Sequence, residues 1–328
     1  MSREGSVTPT PTTNFEHITL SDIEALEELP GASGRRQCIS YRFGSNRVIK
    51  VSPHRSIFYE ARILAYIRQT IPSIPVPRVY GVRQLRSAAG SHRFCMLMEY
   101  IDGIGADEAA CEWSTGETQM FVDSVQTLRR ALLKITGRCI QAVDFCQISD
   151  DTDAKNCDNV IDEAWSARCT FHGAGGDLPT GVQDELFDHI WQPMERGPFA
   201  TEAHFIASVG VALQRRGTGA ARIDLVSRMI DQLSTVSTSS GGTYPLQHAN
   251  LSLGNFLVRR TGPSGGGTPE IVGVLGWGQC GFYPAWWELA KMAASEERLL
   301  VDAAAQDSAF PQYGHHTSVM LHVRDIIY

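Results

Sequence analysis

Hydrophobic residues recur along this chain with two periods, about two and about 3.6, and the switches between them mark the elements. Cys38-Ile39-Ser40-Tyr41-Arg42-Phe43 alternates, Gly44-Ser45-Asn46 turns the chain, and Arg47-Val48-Ile49-Lys50-Val51 follows as a second apolar run. Strand, turn and strand predict a hairpin. A helix is predicted from about Ser56 to Thr70, where Ile57, Ala61, Leu64, Ala65 and Ile67 keep helical spacing. The stretch Ile74-Pro75-Val76-Pro77-Arg78-Val79-Tyr80 is held extended by its two prolines, and a strand is predicted at Arg93–Tyr100. From Gly103 to about Ile148 the spacing is helical, with Phe121, Val125, Leu128, Leu132 and Ile135 at the right intervals.

Strand patterning returns late in the chain. An apolar strand ends at His248, a turn carries Asn250, and Asn255 opens a strand to Val258. A Gly/Pro linker from Arg259 to Glu270 leads to another strand, Ile271–Leu275, and the pair predicts a second hairpin. Short helices are predicted near the N-terminus, with Ser21 as N-cap and Glu24 closing a capping box, after Thr201, from about Arg222 to Thr235, and from Pro284 onward. Residues 149–160 hold several acids and amides at spacings that fit no calcium loop, and read as a solvated loop. The Gly-rich stretch from Trp165 to Pro198 carries His172, His189 and Trp191, which read as packing or capping residues.

Composition narrows the function classes. The chain has 328 residues, 43% hydrophobic and 20% charged, as expected of a globular protein of one large or two ordinary domains. A net charge of −7 gives no reason to expect a nucleic-acid surface, and no basic run points to an anionic membrane. No apolar stretch approaches the roughly 20 residues needed to span a bilayer, and the Ser/Thr/Pro-rich residues 1–15 read as a tail rather than a signal peptide. The eight cysteines form no C-x-x-C pair, so reduced thiols and a cytoplasmic location are expected.

The spacing His248-x-Asn250-x4-Asn255 resembles the catalytic loop of the aminoglycoside phosphotransferase-like kinases, His-Gly-Asp followed five residues later by Asn. Downstream, Leu275-Gly276-Trp277-Gly278 and Gly281-Phe282-Tyr283-Pro284-x-x-Trp287-Glu288 resemble that family's metal loop and the segment after it. The Ile74–Tyr80 wording and Met98-Glu99-Tyr100-Ile101-Asp102-Gly103 resemble its small-lobe linker and hinge, and Gly197–Phe205 resembles a segment that recurs in fungal members. The resemblance implies an α+β, two-lobed protein-kinase-like fold: a small antiparallel-sheet lobe over residues 16–102 and a mostly helical large lobe over residues 103–328. It also implies ATP as nucleotide and magnesium as metal. Lys50 becomes the phosphate-binding lysine, Glu60 the helix carboxylate that holds it, and the backbone of Glu99 and Ile101 the adenine edge. The turn with Gly31, Ser33 and Gly34 becomes the phosphate cover, and Asn255 a metal ligand.

Both family aspartates are missing. Asn250 stands where the proton acceptor belongs and Gly276 where the stronger metal ligand belongs; Asn250 can orient a hydroxyl but cannot take its proton, a role worth about 10²–10⁴-fold. The expectation is therefore a catalytically degenerate kinase with a small molecule or a protein as cleft partner. Two alternatives stand beside it. One is an active small-molecule O-phosphotransferase that recruits an acid from elsewhere, Glu288 being the first acid downstream of the loop. The other is a metal-free enzyme using His248, Lys50, Glu60 or Cys280.

Overall fold

The structure is a computed structural model, and it describes residues 15–30, 38–86, 90–143, 181–182, 196–215, 221, 224–225, 228–229, 242–261 and 267–327. The expectations for residues 1–14, 31–34 and 149–160, for His172, His189 and Trp191, and for most of the helix at 222–235 lie outside the described residues.

The first hairpin forms as its alternation predicts, with β1 (Ile39–Phe43) and β2 (Arg47–Ser52). With β3 (Val79–Arg86) and β4 (His92–Glu99) they make an antiparallel sheet in the order β1-β2-β4-β3. Lys50 pairs with Met96 and Ile49 with Leu97. Period-two alternation sends Ile49, Val51, Cys95 and Leu97 to one face, where Ile18 and Ile23 cover them. Val48, Phe94, Met96 and Met98 go to the other face. The covering helix α1 (Leu20–Glu24) is capped by Thr19, not by Ser21. Thr19 Oγ1 accepts from the Asp22 amide at 3.2 Å and Asp22 Oδ2 accepts from the Thr19 amide at 2.9 Å. Both start sites satisfy the capping spacing; the earlier one also places Ile18 and Ile23 on either side of the cap as a buried hydrophobic staple.

Helix α2 (Ser56–Thr70) occupies the predicted residues and buries Ile57, Tyr59, Ala61, Ile63, Leu64 and Ile67. Its apolar face joins the sheet's inner face to the large lobe, so one core runs through both. Beyond the hinge come the two-residue strand β5 (Ile104–Gly105) and the helices α3 (Ala106–Ala109) and α4 (Thr115–Leu132). The helical pattern does not continue to 148: residues Thr136–Gly137 (β6) and Gln141–Ala142 (β7) are extended. There β8 (Tyr244–Gln247) and β11 (Gly281–Phe282) pair with them, in the order β6-β8-β11-β7. The Phe282 ring lies 2.7 Å from where a Cβ on Gly137 would sit, which holds that position to glycine.

The second hairpin is longer than its apolar run. A 3₁₀ turn at Leu253–Asn255 precedes β9 (Phe256–Thr261), which pairs with β10 (Thr268–Val274). Polar cross-strand neighbours extend it, with Arg259 opposite Glu270, so the strand pattern continues past the hydrophobic signal. Helix α5 (Glu202–Arg215) starts at Thr201, whose hydroxyl accepts from the His204 amide at 3.2 Å. Helices α6 (Trp287–Ala293), α7 (Arg298–Ala305) and α8 (Phe310–Ile327) close the large lobe over Trp277, Trp286 and Trp287, all fully buried. The architecture is the expected antiparallel-sheet lobe plus helical lobe. Among the described residues no helix is long and apolar enough to cross a membrane.

Candidate functional site

Two clusters of predicted residues assemble at the lobe junction. In the first, strand alternation turns Lys50 toward α2, and Glu60 faces it from one turn into that helix. Lys50 Nζ lies 2.8 Å from both Glu60 carboxylate oxygens. The lysine side chain keeps 18% of its surface exposed and the glutamate 9%, so a cation reaches the cleft from a largely desolvated partner. The neighbouring Tyr59, absent from the sequence expectations, fixes this pair in space. Its buried hydroxyl donates to the Cys280 carbonyl at 2.5 Å and accepts from the Val143 amide at 2.9 Å. One phenol thus ties α2 to β11 and β7 of the large lobe. An aromatic on the apolar face of a helix reads as packing, and no sequence signal distinguishes this one.

In the second cluster, β8 ends at Gln247, whose side chain accepts from the Glu288 amide at 2.7 Å and donates to the Pro284 carbonyl at 2.5 Å. These bonds bring the start of α6 against the loop. Glu288 Oε2 then accepts from the Ala249 amide at 2.5 Å, and Lys291 Nζ donates to the Ala249 carbonyl and, at 3.0 Å, to Gln279 Oε1. Both ends of one residue are clamped by side chains three positions apart on one helix, one turn being the spacing that aligns them. The clamp holds Ala249 at φ 58, a left-handed conformation that costs a non-glycine residue roughly 1–2 kcal/mol. Burial raises the pKa of Glu288, opposed by the hydrogen bond from Ala249 and the charge of Lys291.

His248 is fully buried beneath this loop. Its Nε2 lies 2.9 Å from the Leu275 carbonyl, its Nδ1 accepts from the Asn250 amide at 3.2 Å, and its ring meets Trp277 edge-on at 4.4 Å. These partners assign the proton to Nε2. Desolvation, with the Lys291 charge adding to it, depresses the imidazole to about 4 against the hydrogen bond to Leu275. Both ring nitrogens are engaged, so His248 is a brace and offers no lone pair or proton to a ligand.

Asn250, Asn255 and Gly276 join directly. Asn255 Nδ2 donates to the Asn250 carbonyl at 2.8 Å, and Asn250 Nδ2 reaches the Gly276 carbonyl at 3.4 Å. Gly276 sits at φ +77, and a Cβ added there would lie 2.5 Å from Asn255 Oδ1 and 2.7 Å from Asn255 Cγ. The Asn255 amide occupies the space into which a side chain at position 276 would project. Magnesium needs near-octahedral hard oxygen donors, ordinarily one or two carboxylates, and here the donors are a single amide oxygen and backbone carbonyls. Glu288, the first acid downstream in sequence, holds the Ala249 amide through one carboxylate oxygen. Among the described residues no group of three or more His, Cys, Asp or Glu side chains could hold a metal ion. The residues present do not fit magnesium.

The hinge lies between the clusters. The Glu99 amide donates to the Arg78 carbonyl at 2.8 Å and the Tyr100 amide to the Asn46 carbonyl at 2.9 Å. The Glu99 carboxylate accepts from the Arg78 amide at 3.0 Å. The Ile101 amide has no hydrogen-bond partner among the described residues, which leaves one donor at the predicted adenine edge. The Ile101 side chain rests on the second hairpin, 3.0 Å from where a Cβ on Gly273 would sit. Cys280 is buried, and burial together with the Glu288 charge pushes its thiol well above the usual value, so it is not a nucleophile at neutral pH.

A family model described as "Phosphotransferase enzyme family" matches residues 39–321, most of the chain. No curated protein matches the chain significantly. Among solved structures, the GDP and kanamycin complex of APH(2")-IIia superposes with a TM-score of 0.56 at 11% identity, over 96% of this chain and 87% of that one. The GDP complex of wild-type aminoglycoside 2'-phosphotransferase-IIIa gives 0.54 at 10% identity, over 96% and 86%. At such identities the likeness establishes the fold and nothing finer.

Proposed function

The chain belongs to the phosphotransferase enzyme family, and from that premise we propose that it is a catalytically degenerate kinase, one that keeps a nucleotide-holding cleft and has lost phosphoryl transfer. The observation that carries this reading is the closed amide network of Asn250, Asn255 and Gly276. Phosphoryl transfer needs held phosphates, bridging metal ions and an oriented acceptor. Lys50, set by Glu60, supports the first, and the Ile101 amide supports an adenine edge. Neither an acid for the metal nor a base for the acceptor stands at the second cluster. The resident ligand is then ATP, ADP or a related small molecule bound without magnesium, in a cytoplasmic protein.

The intact Lys50–Glu60 pair equally supports the second reading, an active O-phosphotransferase with a distant acid. The metal-free enzyme has less support, since His248 and Cys280 are sealed.

Thermal unfolding with ATP, ADP and GTP, each with and without magnesium, separates the readings. A ligand of the native state stabilises it by about 2.7 kcal/mol at a hundredfold excess over Kd. A nucleotide-induced rise in Tm that ignores magnesium is expected. A magnesium-dependent rise accompanied by phosphate transfer to any hydroxyl would overturn the proposal in favour of the active enzyme. No rise with any nucleotide would remove the nucleotide half of it.

A further inference from the structure

The described residues define a cavity separate from the Lys50 cleft. It opens behind the hinge, about 460 Å³ in volume, and neither Lys50, Glu60 nor Asn255 lines it. That size falls within the range of small-molecule sites, about 300–1,000 Å³. Four charged side chains line it: Arg68 at the end of α2, Glu99 and Asp102 flanking the hinge, and Arg259 on β9. Both lobes and the hinge between them therefore share its wall.

The four charges divide into two kinds. Arg68 and Glu99 are occupied with each other at 3.5 Å, and Arg68 also donates to the Val76 carbonyl at 3.1 Å. Arg259 and Asp102 are exposed, and among the described residues neither has an ion-pair or hydrogen-bonded partner. Ile74, Pro75, Val76 and Val272 add a smaller apolar share to a mostly polar wall. A purely anionic ligand would meet Glu99 and Asp102, and a purely cationic one would meet both arginines. A molecule that carries one carboxylate, one ammonium and an apolar group satisfies all three kinds of wall, and a guanidinium can take a carboxylate through two parallel hydrogen bonds.

We propose that this cavity is a second binding site, for an amphoteric small molecule of amino-acid to dipeptide size, with Arg259 taking its carboxylate and Asp102 its ammonium. The occupant would touch Tyr100 and Ile101 of the hinge. The site does not depend on whether the cleft binds nucleotide.

The test is calorimetric titration of the full chain with leucine, leucinamide, which lacks the carboxylate, and N-acetyl-leucine, which lacks the ammonium. Leucine is expected to bind at millimolar concentration or better, and each neutralised analogue at least tenfold more weakly. Arg259→Gln should lose the preference for leucine over leucinamide, and Asp102→Asn the preference over N-acetyl-leucine. Neither substitution should change Tm, since both side chains are exposed and unpaired. Hydrogen exchange provides the second readout: leucine should slow exchange at residues 100–103 and 73–76. Absence of saturable binding by leucine overturns the proposal, as does binding that both variants leave unchanged or that protects amides elsewhere.

Discussion

If the Asn255 amide fills the space beside Gly276, substitutions at the two positions must be coupled, and the size of the coupling follows from the geometry. In Gly276→Ala the new methyl arrives 2.5 Å from Asn255 Oδ1, so the amide must move and its 2.8 Å hydrogen bond to the Asn250 carbonyl breaks. That bond is worth about 0.5–1.5 kcal/mol. Position 276 also has φ +77, where alanine costs roughly 1–2 kcal/mol. The single variant should therefore lose about 1.5–3.5 kcal/mol. Asn255→Ala alone loses the hydrogen bond and leaves a buried carbonyl without its donor, about 1–2 kcal/mol. In the double variant the amide is already gone, and Gly276→Ala adds only the backbone strain. The two losses should fall short of their sum by about 0.5–1.5 kcal/mol. Urea unfolding followed by both tryptophan fluorescence and circular dichroism measures all four corners, and coincident transitions confirm that the comparison is legitimate. Losses that add to within about 0.3–0.5 kcal/mol would mean that positions 255 and 276 do not compete for one space, and the account of the closed amide network fails.

Introducing acids as Asn250→Asp with Gly276→Asp should create a magnesium-dependent rise of Tm with ATP, once the Asn255 amide is displaced; a variant that stays silent shows that carboxylates at these two positions do not suffice. Lys50→Met should abolish any nucleotide-induced rise of Tm and destabilise the protein by about 1–3 kcal/mol by leaving Glu60 buried without its cation; an unaltered nucleotide response removes Lys50 from the site. Tyr59→Phe should cost about 2–4 kcal/mol, because the buried Cys280 carbonyl and Val143 amide both lose a partner, and a loss below 1 kcal/mol would show that the phenol does not bridge the lobes. His248 is depressed from 6.5 to about 4 in the folded chain, so the unfolded chain binds the proton first. Its contribution is complete above pH 6.5 and is lost as pH falls toward 4, about 3 kcal/mol in all. The pH-stability curve of His248→Gln should be flatter over that window, and a slope equal to wild type would contradict a neutral buried imidazole.

Much of the scaffold was legible in the residues themselves. The limits of α2 and of the first hairpin follow from hydrophobic period alone, because each element buries one face and the period names that face. The pairing of Lys50 with Glu60 was legible only through the family resemblance, since a lone lysine on a strand and a lone glutamate on a helix read by themselves as surface residues. The α1 cap was not, since Thr19 and Ser21 satisfy the same local rule and only the burial of Ile18 and Ile23 on the sheet chooses between them. The second hairpin outran its apolar signal because Arg259, Glu270 and their neighbours pair through the backbone rather than by burial.

The sequence by itself determined the family, the architecture, and that position 250 carries an amide and position 276 no side chain at all, for the identity of a side chain is a fact of the chain before it folds. Only the tertiary structure decided how the space around them is filled. That Asn255 turns into the space beside Gly276, that Glu288 is committed to the Ala249 amide, that both nitrogens of His248 are taken, and that Tyr59 joins the lobes are matters of direction and distance between residues from about five to more than 200 positions apart. No local pattern encodes these contacts. A hydrogen bond is worth about 1 kcal/mol only within a few tenths of an ångström of its proper length, and that length is set by the packing of the whole core.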